Sequence, residues 1–156
     1  MNIRELLLQY WDNSMEQEDW YPPLGPALKE VTLEQAVWKP GMGAANSIWE
    51  NVQHLLYYKE RILGRMTDPD GLPAHIGNEE TFLISEISEQ AWEEARTKLE
   101  QLHAQLRSQL ERMPEDELER EPERFQSLIT HDAYHTGQIV LLRKLQGSWP
   151  ATRSYS

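Results

Sequence analysis

The stretch PERFQSLITHDAYHTGQIVLLRKLQG, residues 122–147, decides the fold. Leu128, His131, His135, Ile139, Leu142 and Leu145 recur at spacings of three and four, the period of one helix face. Pro122 suits a first helical turn and Gly147 a C-terminal stop, so the stretch predicts one long helix. His131 and His135 leave such a helix from the same side, one turn apart. Here that side is the apolar one. Burying two imidazoles costs free energy unless each finds a partner, and one shared cation partners both.

Three more segments carry the helical period. The first covers about residues 2–15, with Ile3, Leu6, Leu7, Tyr10 and Trp11 on its stripe. The second covers about 47–66: Ser47 and Glu50 form an S-x-x-E capping box at its start, and Asp68-Pro69-Asp70-Gly71 ends it. The third covers about 88–113, with Trp92, Leu99, Leu106 and Leu110 on one face and Pro114 as its stop. Strand signals are confined to Leu83, Ile84 and Ile87. The pattern predicts an all-α fold, a four-helix bundle with a long crossover (17–46) between its first two long helices. Pro22, Pro23, Pro26 and Pro40 punctuate that crossover, and Thr32-Leu33-Glu34-Gln35 marks a short capped helix within it. Trp20, Tyr21 and Trp38 either line a pocket mouth there or pin the crossover down. The acidic run 115–123 reads as a solvated turn.

One domain is expected over residues 1–156, with 146–156 as a tail, since 156 residues suit a single core. A net charge of -11 argues against nucleic acid and against an anionic membrane surface as partners. No run reaches the roughly 18 apolar residues of a membrane span, and the first residues lack the apolar run of a secretory signal, so a cytoplasmic location is expected. There is no cysteine. A transition-metal site would therefore use His and carboxylates, and thiol chemistry would need a thiol brought by a substrate or cofactor.

A tight divalent site needs a third ligand beside the pair. His54 lies mid-helix, on the flank with Ser47, Asn51 and Tyr58, away from the Ile48–Val52–Leu55–Ile62 stripe. His103 lies on an apolar face with Trp92, Leu99 and Leu106, so periodicity favours it as much as His54. His75 falls in a Gly/Pro-bounded loop and reads as solvated.

Trp38-Lys-Pro, then Ser47-Ile-Trp-Glu-Asn-Val-Gln-His54-Leu, then His131-Asp-Ala-Tyr-His135-Thr-Gly-Gln-Ile139 resembles the DinB/YfiT-like metalloenzyme family. The likeness spans nearly the whole chain and is most specific at 131–139. It implies a four-helix bundle holding a divalent transition metal, zinc or nickel foremost, on His54, His131 and His135. It also implies thiol-dependent chemistry, as a transferase or isomerase acting on a small-molecule substrate with a low-molecular-weight thiol such as bacillithiol. Family habit and the aromatic tail point to a homodimer.

Three neutral imidazoles leave the dication's charge intact and coordination positions open, a catalytic rather than a structural pattern. A coordinated thiol is deprotonated outright. Two other readings stay open: a hydrolase using a bound hydroxide with Glu50 as base, and a non-catalytic metal-binding stress protein. Of the flanking residues, Asp132 reads as solvated, Tyr134 as able to orient an imidazole or touch a substrate, Gln138 as facing the site, and Gly137 as permitting close helix packing.

Overall fold

The computed structural model describes residues 1–152, so the end of the expected tail, residues 153–156, lies outside the described residues. Among these residues the chain is all helical: seven α-helices and no strand. Four are long, α1 (Ile3–Met15), α4 (Ile48–Thr67), α5 (Glu89–Arg112) and α7 (Glu123–Leu145), and three are short, α2 (Leu24–Leu28), α3 (Leu33–Val37) and α6 (Glu115–Arg120). Two 3₁₀ turns, Pro69–Gly71 and Asn78–Phe82, lie between α4 and α5.

The helix ends follow local chemistry. Ser47 accepts from the Glu50 backbone N–H while the Glu50 carboxylate accepts from that of Ser47, closing the expected capping box. Thr32 and Gln35 repeat the device at α3. Asn2 and Glu5 do so at α1, where no cap was anticipated. Gly147, at φ +78°, takes the left-handed conformation that ends α7.

α4 packs against α5 and α7, and α1 against the same two helices. Two apolar clusters result. One gathers Ile48, Trp49, Val52, Leu55, Trp92, Leu99 and Ile139, with Leu24, Leu28 and Val31 from the segment between α1 and α4. The other gathers Leu7, Trp11, Leu106, Leu110, Leu118, Phe125 and Leu128. Trp11, Trp49 and Trp92 are buried, as a core reading requires.

The segment between α1 and α4 is pinned to the long helices by hydrogen bonds. Trp92 Nε1 donates to the Val31 carbonyl at 2.9 Å, and Arg143 Nη1 to that of Ala27 at 2.9 Å. At Gly25 the backbone passes so near the end of α1 that a Cβ would lie 2.7 Å from the Met15 carbonyl oxygen. Trp38 packs on the core, whereas Trp20 is fully exposed and pins nothing.

Several expectations need correction. Residues 115–120 are a helix rather than a turn, because Leu118 plugs into the second cluster while its acidic neighbours stay in water. Leu145 is 59% exposed and does not belong to the buried stripe of α7. Trp149 is half-buried against the first cluster, with the Arg143 guanidinium over its ring at 5.2 Å, so this tail aromatic supplies no argument for a second copy. A Cβ at Gly137 would meet nothing within 4 Å, so that glycine serves no close packing.

Candidate metal centre

His54, His131 and His135 come together. Each offers one ligand nitrogen, and these atoms all lie within 4.8 Å of one another, a grouping that could hold a metal ion. The Nε2 atoms of His54 and His131 are 3.0 Å apart. His54 and His135 are buried, and His131 is half-buried.

His54 is buried although it sits on the flank of α4, because the connection between α4 and α5 covers that flank. Thr81 and Phe82 of the second 3₁₀ turn lie over it. Phe82 stacks on the imidazole, with ring centroids 4.1 Å apart and planes within 9°. Helical periodicity counts only partners on other rods, so it could not anticipate this cover.

The ring faces of the two buried histidines are set by their other nitrogens. His54 Nδ1 lies 2.6 Å from Thr81 Oγ1, and that hydroxyl donates to the Asn78 carbonyl at 2.5 Å. The hydroxyl oxygen is thus left to accept, so Nδ1 of His54 carries the proton and Nε2 keeps its lone pair. Asn51 does the same for His135. Its Nδ2 donates to the Ser47 carbonyl at 2.8 Å, which turns Oδ1 toward His135 Nδ1 at 2.7 Å. Partners of this kind orient imidazoles for a metal and raise their basicity as ligands. Thr81 carried no signal in the sequence. Asn51 did, as the helical neighbour of His54 at i−3.

Burial is also the leading reason that all three imidazoles resist protonation. His54 is pushed down to about 4, by desolvation and then by His131. His135 falls to about 3, by desolvation and then by its two histidine neighbours, with a Gln138 hydrogen bond acting the other way. Gln138 therefore reaches the site, as expected. His131 is lowered, again chiefly by desolvation. Neutral imidazoles are the form that binds metal. Tyr134 is 65% exposed, its ring edge-on to His135.

His103 is elsewhere. It stacks on Trp11, centroids 4.4 Å apart, and its Nδ1 faces Lys59 Nζ at 3.5 Å. Lys59 in turn donates to Asp132 Oδ2 at 2.7 Å, and Ser14 Oγ approaches the same oxygen at 3.4 Å. Asp132 is 0% exposed and Lys59 1%, so Asp132 is a buried ion-pair partner rather than a solvated group. His75 is exposed, as expected. Glu50, the candidate base, is engaged at both oxygens, by the Ser47 N–H at 2.7 Å and by Lys39 Nζ at 2.6 Å.

No helix among the described residues is long and apolar enough to cross a membrane. Comparison with curated proteins and with solved structures gave no match. Residues 24–139 match the family model of the DinB superfamily. That stretch holds α2 and α3, all three histidines and both of their hydrogen-bond partners; the chain belongs to the DinB superfamily.

Proposed function

We propose that this chain is a metal-dependent enzyme of the thiol S-transferase type, built as a four-helix bundle with its crossover between the first two long rods. The observation that carries the reading is the convergence of three neutral imidazoles, two with Nδ1 tied back by Thr81 and Asn51. The donor set suits zinc or nickel. When bound, such an ion supplies a positive charge that ionises a coordinated low-molecular-weight thiol. The chain has no cysteine, so the attacking sulfur must arrive with a small molecule.

The protein's own part is placement. Asn51 and Thr81 hold His135 and His54 in the ligating tautomer. Phe82 covers one face of His54, and Tyr58 sits edge-on to His54 and His131 at 4.9 and 5.4 Å, so aromatic surface screens the centre from water. A bound-hydroxide hydrolase is less well supported, because Glu50 is already committed to Ser47 and Lys39.

The test has two arms. In chelator competition, His131→Ala should abolish tight zinc or nickel binding, and Asn51→Ala or Thr81→Ala should weaken it about 10–100-fold. In an assay of thiol conjugation to a chromogenic electrophile, the loaded protein should outpace His131→Ala. Equal rates with every thiol tried would remove the transferase reading, and undiminished metal affinity in His131→Ala would remove the site itself.

A further inference from the structure

Beside the three imidazoles, α4 and α7 leave an open slot of about 290 Å³, lined by Tyr58, Ile62, Arg124, Ser127, Leu128 and His131. That volume is at the small end of ligand pockets. His131, the least buried of the three histidines, forms one of its walls, and Tyr58 packs edge-on against both His131 and His54. Along α7, Arg124, Ser127, Leu128 and His131 follow one another at helical spacing. The slot therefore runs about two turns from the centre, roughly 10 Å at 1.5 Å per residue.

Its chemistry is set by what the walls have left to offer. Tyr58, Ile62 and Leu128 present apolar surface. Arg124 is the one cation among the six, and its charge is already answered twice: Nη1 lies 3.8 Å from Glu117, and Nη2 pairs with Glu121. A carboxylate on an incoming molecule would sit beside two carboxylates, at a cation whose charge they already balance. An uncharged apolar body meets no such penalty and gains from leaving water.

We infer that this slot seats the electrophilic co-substrate, and that the electrophile is a small uncharged molecule with an apolar, flat or short-chain body. Ile62, Ser127 and Leu128 then set its size. This rests on the metal-centre reading above, and the experiment separates the two.

The protein is loaded with cobalt(II), whose visible bands report coordination, and titrated with imidazole, 4-phenylimidazole and imidazole-4-acetate. All three probes can ligate through nitrogen. 4-Phenylimidazole adds a neutral ring, and imidazole-4-acetate adds a carboxylate. The expected result is a preference of tenfold or more for 4-phenylimidazole over imidazole, and none for imidazole-4-acetate. Ser127→Trp, a change at an exposed position on the slot, should erase the preference while the cobalt bands of the probe-free protein stay unchanged. Ile62→Ala should keep or increase it. With cobalt bound, equal affinity for the three probes, tighter binding of imidazole-4-acetate, or a preference that survives Ser127→Trp overturns the slot assignment alone. Absence of cobalt bands in the wild-type protein brings down the metal centre and the slot with it.

Discussion

Asp132 is the residue at which sequence and structure part most clearly. The buried positions of α7 include Phe125, Leu128, Ile129, Asp132, His135, Thr136, Ile139, Val140 and Arg143, a regular helical stripe with Asp132 at its middle. The same helix exposes Tyr134, Leu141 and Leu145. Those three stand opposite the stripe and cancel its signal, and a stripe drawn instead through His131, Leu142 and Leu145 is rotated away from Asp132 and leaves it outside. The histidine pair was legible because its spacing is independent of that rotation. What made Asp132 buriable is Lys59 on another rod, and a single helix cannot reveal such a partner. The pair makes a sharp prediction. Lys59→Met should cost about 3–5 kcal/mol in urea denaturation, because it leaves an uncompensated carboxylate inside. Adding Asp132→Leu should recover most or all of that loss, since a buried pair replaced by apolar residues is often neutral or better. A double variant as unstable as the single one would mean that the packing of Asp132, rather than its charge, matters.

At the scale of elements, the four long helices were readable from period and caps, and their observed ends fall within one or two residues of the expected ones. Of the short pieces, α3 was readable from its Thr32–Gln35 capping box and the others were not. α2 and α6 are too brief to show a period, and each is held by tertiary anchors, Leu24 and Leu28 in one and Leu118 in the other. The 3₁₀ turn at Asn78–Phe82 escaped for the same reason, and with it the cover over His54. Two glycines let the elements be probed in opposite directions. Gly137→Ala replaces a helix-interior glycine where added bulk meets open space, so it should stabilise by about 0.5–1 kcal/mol. Gly25→Ala drives a methyl against the Met15 carbonyl and should destabilise. Paired thermal melts check both signs, and a Gly137→Ala protein less stable than the parent would show that α7 needs that glycine for another purpose.

For the whole molecule, acid sensitivity follows from His103. Burial, and then the Lys59 ammonium, push its imidazole down to about 2, whereas an unfolded chain titrates near 6.5. Between those values the unfolded state binds the extra proton, so stability rises with pH through the window and levels off above about 6.5. His54 and His135 add slopes of the same sign until about 4 and 3. Denaturation midpoints measured from pH 7 down to 4.5 should therefore fall, and His103→Gln should make the fall shallower. An unchanged slope in that variant would locate the acid lability elsewhere.

The two apolar clusters meet at a level where every long rod contributes a polar group: Ser14 from α1, Lys59 from α4, His103 from α5 and Asp132 from α7. A rod that slid by one turn, about 5.4 Å, would set an ammonium against leucines and strand a carboxylate opposite nothing. Grease alone tolerates such sliding; this layer does not. The same girdle that costs stability gives the four long helices a single axial setting, and so keeps histidines from two different rods level with each other.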